Sequence, residues 1–316
     1  HHNQLPRLPP ALVHTVVSMM TIATPPPSLT VVIPAFNEAL RLPPVLDASL
    51  AYLQAGQRPW ELIVVDDGSS DGTSEVVRQR CSSCERGRLR LLRADGNGGK
   101  GAALRAGAAA ARGDRIALVD ADGATPLSAL PALERALDAA GCGVAVGSRS
   151  DVLRRRPPYR RLMSAVFSLL AMSCVADLDD TQCGFKLLTR QAAERTFPHL
   201  HVAGWAYDVE LLYLAQQLGL GVTSAQVPWR DVPGSKVRPL TPLRMAVDVA
   251  SVRLLYSTGL WRVPLKQAEG TQQAEEGPWS EGRSAEGRLA GAEYAEQHDV
   301  ASVEDLQRAL DASCDT

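Results

Sequence analysis

The stretch Val31-Val32-Ile33-Pro34-Ala35-Phe36-Asn37-Glu38 decides how this chain is read. It is a strand-length apolar run, rich in Val and Ile, that ends in turn-forming and polar residues, as strands buried on both faces of a parallel sheet do. Two further runs repeat the pattern, Ile63-Val64-Val65-Asp66-Asp67-Gly68-Ser69-Ser70-Asp71-Gly72-Thr73 and Ala117-Leu118-Val119-Asp120-Ala121-Asp122. Helix-like segments lie after the first two runs, Pro43 to Gln54 and Gly72 to Arg80. The βαβα alternation predicts an α/β fold with a mostly parallel, Rossmann-like sheet flanked by helices and ligand groups at the strand carboxyl ends.

Gathering carboxylates at the ends of buried strands is costly unless cations or donors compensate them. Asp66 and Asp67 end one strand and Asp120 and Asp122 another, which points to a ligand plus a metal. The carboxylates of Asp120-Ala121-Asp122 sit two residues apart, so an extended backbone would aim both to one side across the small Ala121. Two hard oxygen ligands suit Mg²⁺ or Mn²⁺, with a diphosphate and water completing the shell. Asn97-Gly98-Gly99-Lys100-Gly101 precedes an Ala-rich helix over Ala102 to Ala111. Glycines permit close backbone approach, a helix N-terminus favours anions, and Lys100 adds a point charge. A plain helix-entry turn fits the same residues, and the Walker spacing is absent.

The order of these motifs resembles the family-2 glycosyltransferases of the GT-A fold. Asp122-Gly123-Ala124-Thr125, Gly147-Ser148-Arg149, Asp180 to Lys186, Trp205 to Leu211 and Val227 to Lys236 are similar to the dolichyl-phosphate β-glucosyltransferase branch, over about residues 29 to 262. The resemblance implies nucleotide contacts from Pro34, Phe36, Glu38 and Asp66, and it favours a lid that brings Lys236 to the diphosphate over a plain surface turn; Asp67, Gly99, Lys100 and Ala121 are further candidate donor contacts. It implies that Asp120 and Asp122 hold the metal on the donor, UDP-glucose. Mannosyl relatives carry a Gln two residues beyond the second Asp, where this chain has Ala124.

The acceptor side is basic and apolar. Arg149, Arg154, Arg155, Arg156, Arg160 and Arg161 fall within thirteen residues and are followed by the uncharged stretch Leu162 to Ala176. That juxtaposition suits a polyprenyl phosphate at a peripheral membrane surface, and a solvated charge run before a core helix is the alternative. About fifteen residues is short of the roughly 20 that cross a bilayer. A lipid monophosphate is largely dianionic at neutral pH and needs positioning rather than a strong base. Arg149 is the expected positioning group, with Asp122 and Asp180 as its catalytic partners. A sugar or glycerate hydroxyl would instead need a carboxylate base, and Asp179, Asp180, Asp208 and Glu210 are the candidates. For the last two, ordinary helix-start acids are an equal reading.

With 316 residues and 45% hydrophobic content, one large core is within reach. Net charge is −2, yet the segment from Pro264 onward carries twelve acids and four bases, leaving the first 263 residues at +6. A basic body suits nucleotide diphosphates and anionic lipid. We expect a Pro-rich extension over 1–28, a catalytic domain over 29–262, and an acidic disordered tail over 263–316 with one short helix near Ser302 to Ala312. Leu240 to Trp261 has the spacing of a packing helix. Cys81-Ser82-Ser83-Cys84 lacks a second pair, so reduced thiols and a cytoplasmic, membrane-peripheral location are expected. No basic-aromatic interleaving suggests nucleic acid.

Overall fold

The computed structural model describes residues 26–82, 84, 88–149, 174–175, 178, 180–234, 241–263 and 300–302. The chain runs β1 (Leu29–Ala35), α1 (Leu42–Ala55), β2 (Trp60–Asp66), α2 (Thr73–Cys81), β3 (Leu89–Arg93), α3 (Lys100–Ala109) and β4 (Arg115–Leu118). It continues through α4 (Leu130–Ala140), β5 (Val144–Ser148), β6 (Lys186–Thr189), α5 (Arg190–Thr196), α6 (Tyr207–Gln217), β7 (Val222–Gln226), α7 (Thr241–Ser257) and β8 (Val300–Ser302). The expected α/β architecture is present: one sheet in the order β7-β5-β6-β4-β1-β2-β3-β8. Its neighbours pair in parallel except around β6, which is antiparallel to both β4 and β5.

The Val/Ile runs form the centre of the sheet because their side chains tolerate burial on both faces. In β1 and β2 every residue but Pro34 is buried. Pairing of β1 with β4 stops at Val32 opposite Leu118, so Pro34 lies past that ladder, where its missing N–H costs no bond to β4. Small residues let α3 lie close on the sheet, burying Gly101, Ala103, Ala106 and Gly107 beside Leu104. A continuous buried cluster extends from Leu29 to Tyr256, joining the nucleotide half to the later helices.

Two local expectations differ. Strand β4 ends at Leu118, and Ala121-Asp122 form a turn rather than extended backbone. Gly123, at φ 72°, carries that turn, and Asp122 Oδ1 accepts from the Ala124 N–H at 3.0 Å. Within the acidic tail, Val300–Ser302 pairs in parallel with Leu91–Arg93, covering the open backbone groups that an edge strand presents. The short helix expected to follow lies beyond the described residues.

Candidate active site

Strands β4, β1 and β2 are neighbours, so the loops leaving their carboxyl ends converge on one cleft of about 910 Å³. The first two loops are stitched together by side chains. Asn37 adopts the left-handed conformation at φ 52°. Its N–H donates to Ser69 Oγ at 2.8 Å, and its Oδ1 accepts from the Ser70 N–H at 2.8 Å. The Glu38 N–H donates to Thr73 Oγ1 at 2.8 Å, and the Ala39 N–H to Asp71 Oδ2 at 3.0 Å. Pro34, Phe36 and Glu38 therefore line the cleft on a fixed backbone. Glu38 accepts from Arg41 through both oxygens, at 2.7 and 2.5 Å, a charge-assisted fork that holds the Arg41 pKa above its ordinary value.

The adjacent acids Asp66 and Asp67 part company. Asp66 is fully buried, accepts from the Ser69 N–H at 2.8 Å and from the Ser74 hydroxyl, and does not line the cleft. It holds the turn, and its neighbour faces the ligand space. Asp67 accepts from the Gly98 and Gly99 N–H groups at 2.8 and 2.9 Å. Burial raises its pKa to about 6 against the pull of those two amides. Gly99 sits at φ 99°, and a Cβ there would come within 2.5 Å of the Ala203 carbonyl oxygen, so only glycine fits.

At the other wall lie Asp120, Ala121 and Asp122. Lys100 Nζ is 2.5 Å from Asp120 Oδ1 and 5.3 Å from the Trp205 ring centre. Burial works to lower the Lys100 pKa, but Asp120, Asp208 and Asp122 outweigh it and hold the ammonium above its usual range. Burial likewise pushes Asp120 up, and Lys100 overcomes this and leaves it below the usual range. Asp122 is raised, first by burial and then by the Asp120 charge. Asp120 and Asp122 repel each other beside Lys100 and Arg41, and a bound divalent cation would relieve that repulsion. Among the described residues no group of three or more His, Cys, Asp or Glu side chains is arranged to hold a metal ion. Asp120 and Asp122 offer two hard carboxylates, a pair whose chemistry fits Mg²⁺ or Mn²⁺ completed by a diphosphate and water.

Behind this wall, Gly184 packs directly on the Asp120 carboxylate; a Cβ would lie 2.1 Å from Oδ2. The Gly184 loop is held from both ends. Asp180 accepts from Arg149 Nε at 2.7 Å, from its second guanidinium nitrogen at 2.9 Å and from its backbone N–H at 3.1 Å. Burial opposes the ionised form of each, and their mutual attraction prevails, lowering Asp180 and raising Arg149. Lys186, wholly buried, donates to the Cys183 carbonyl at 2.6 Å and to Asp208 Oδ1 at 2.5 Å. Glu210, also wholly buried, accepts from the His201 and Val202 N–H groups at 3.0 and 2.7 Å and from the Tyr256 hydroxyl at 2.9 Å. It anchors the loop that carries Trp205.

Of the residues expected from sequence, Pro34, Phe36, Glu38, Asp67, Gly99, Lys100, Asp120, Ala121 and Asp122 line one cleft. Arg149 and Asp180 pair with each other outside that lining. Lys236, Asp179, Arg154 to Arg161 and most of Leu162 to Ala176 lie outside the described residues. Arg41 and Arg244 also line the cleft and were not anticipated. Arg41 carried a signal, its i,i+3 spacing from Glu38. Arg244 carried none, because its place depends on α7 crossing back over the cleft.

A model of glycosyl transferase family 2 matches residues 30–211. The chain belongs to that family. The mouse and human proteins named dolichyl-phosphate beta-glucosyltransferase are each 40% identical over 256 residues, covering 76% of this chain and 79% of theirs. The Drosophila melanogaster protein of that name is 38% identical over 279 residues, covering 83% of this chain and 86% of its own. Among solved structures, Mycobacterium tuberculosis glucosyl-3-phosphoglycerate synthase in complex with UDP superposes with a TM-score of 0.52 at 21% identity, over 83% of this chain and 87% of that one. Mannosyl-3-phosphoglycerate synthase from Rubrobacter xylanophilus gives 0.53 at 21%, over 78% of each. These likenesses establish the GT-A fold of this family-2 chain.

Proposed function

We propose that this family-2 chain is an inverting, metal-dependent transferase that moves glucose from UDP-glucose to a polyprenyl or dolichyl phosphate at the cytoplasmic surface of a membrane. The names of its relatives support the reaction. The observation that favours a phosphate over a hydroxyl acceptor is the commitment of the carboxylates. Asp180 is clamped by Arg149, Asp208 by Lys186, and Glu210 by His201, Val202 and Tyr256. None of the three lines the cleft. Within the cleft, Glu38 is taken by Arg41 and Asp67 by two amides, leaving Asp120 and Asp122. A phosphate nucleophile, already ionised, needs none of them as a base.

Asp120 and Asp122 would hold the divalent ion, which when bound supplies positive charge for the departing nucleoside diphosphate. Lys100 adds an ammonium at the same place, and Phe36 offers a face for the base. Membrane contact has its own support. Val247, Leu254 and Leu260 are 57%, 60% and 74% exposed on and after α7, beside exposed Arg244 and Arg253. Apolar groups edged by arginines match an anionic lipid surface. No helix among the described residues is long and apolar enough to cross a membrane.

The test is transfer from radiolabelled UDP-glucose and GDP-mannose, in separate reactions, to a polyprenyl phosphate, with Mn²⁺ and an EDTA control. Metal-dependent butanol-extractable label from UDP-glucose alone supports the proposal. Label from GDP-mannose alone would move the chain to a mannosyl role.

A further inference from the structure

A second concavity of about 330 Å³ adjoins the donor cleft and shares Arg41 and Asp122 with it. One side is the exposed face of α1, where Pro44, Ala48 and Tyr52 recur at helical spacing and Val45 adds to the apolar surface. Eight helical rises from Pro44 to Tyr52 give this face about 12 Å of length. Opposite stand Leu127 and Val232. At its rim Leu40 is 93% exposed, an isolated large apolar side chain presented to solvent. Arg230 is the other cation lining it. The adjacent Trp229 ring lies 5.7 Å from the Arg149 guanidinium.

We propose that this groove is the acceptor subsite, taking the first isoprenoid segment of a lipid phosphate whose headgroup lies toward Asp122 between Arg41 and Arg230. The inference rests on the lipid-phosphate reading above. Three features select this occupant. The groove opens beside the carboxylate that faces the donor diphosphate, so a headgroup there is within reach of the sugar. Its cations stand at the end next to the cleft and its apolar wall runs away along α1, the polarity of a prenyl phosphate. Leu40, beside Arg41 at the cleft end of the groove, adds an exposed apolar side chain where lipid would lie against the headgroup. A soluble phosphorylated acceptor would use the arginines and leave the α1 face without a role.

The test uses the full chain with farnesyl phosphate as acceptor and two substitutions, Ala48→Phe to fill the groove and Leu40→Ser at the rim. Both positions are exposed, so folding is preserved, and unchanged thermal unfolding checks this. Ala48→Phe is expected to raise the KM for farnesyl phosphate about tenfold, the contact of roughly two methylenes. Leu40→Ser should raise it less. Metal-dependent hydrolysis of UDP-glucose without acceptor should be unchanged in both. Wild-type transfer combined with an unaltered farnesyl-phosphate KM in both variants would overturn the groove and leave the lipid-phosphate function standing. A wild type that hydrolyses UDP-glucose but labels no lipid phosphate would remove both.

Discussion

Replacing Gly184 by Ala tests how Asp120, one of the two carboxylates proposed to hold the metal, is placed. The backbone at Gly184 is not left-handed, so alanine meets no conformational penalty there. The obstacle is steric. The new Cβ would stand 2.1 Å from Asp120 Oδ2, 2.5 Å from its Cγ and 2.6 Å from Oδ1. Carbon and oxygen at ordinary contact need about 3.5 Å, so the carboxylate must withdraw by more than about 1 Å. It cannot simply swing away, because Lys100 holds Oδ1 at 2.5 Å and the loop behind is fixed by Lys186 and by the Arg149–Asp180 fork. A displacement of about 1 Å in a catalytic constellation costs on the order of a hundredfold in rate, or about 2.7 kcal/mol of barrier. Steady-state transfer at several Mn²⁺ concentrations should show kcat/KM reduced by that order, with the apparent metal requirement raised and partial recovery at high Mn²⁺. Activity within threefold of wild type, with the same Mn²⁺ dependence, would refute the placement of Asp120 against this loop.

Other predictions follow from the same geometry. Asp122→Asn should lower transfer by about a thousandfold or more, and UDP-glucose with Mn²⁺ should no longer raise its unfolding temperature. Asp67 has a folded pKa raised to about 6, so the stability it contributes is present below its unfolded pKa and is lost as pH rises toward 6. Wild type should accordingly lose unfolding temperature relative to Asp67→Asn between pH 4 and about pH 6, measured by calorimetry at matched salt. Lys186→Met should destabilise by about 3–5 kcal/mol by stranding Asp208 in the core, whereas Lys186→Met with Asp208→Leu should recover most of that loss in denaturant melts.

Much of the fold was legible because burial on both faces demands the Val/Ile runs that sequence displays directly. The helices after β1 and β2 and the Ala-rich helix after Gly99 fell within a few residues of their expected positions. Local sequence is weaker where geometry is decided at a distance. Asp66 and Asp67 are neighbours in the chain, and which one faces the cleft depends on alternation at the end of β2. Asp120 and Asp122 meet in the cleft through a turn, because β4 ends at Leu118, two residues before the first of them. Lys186 reads as a site-loop cation beside Phe185, yet the antiparallel β6 buries it against Asp208. Arg244 belongs to the cleft only because α7 returns to it, which no nearby residue encodes. The tail's composition hides the pairing of Val300–Ser302 with β3, since three residues at a sheet edge need little apolar area.

The most direct test of the account is an acceptor competition. Radiolabelled UDP-glucose and Mn²⁺ would be given to the full chain with equal concentrations of a polyprenyl phosphate and 3-phosphoglycerate, and the label partitioned between butanol and water. The account predicts label in butanol, abolished by EDTA and by Asp122→Asn. Label that stays in water as a glucosylated phosphoglycerate would contradict it.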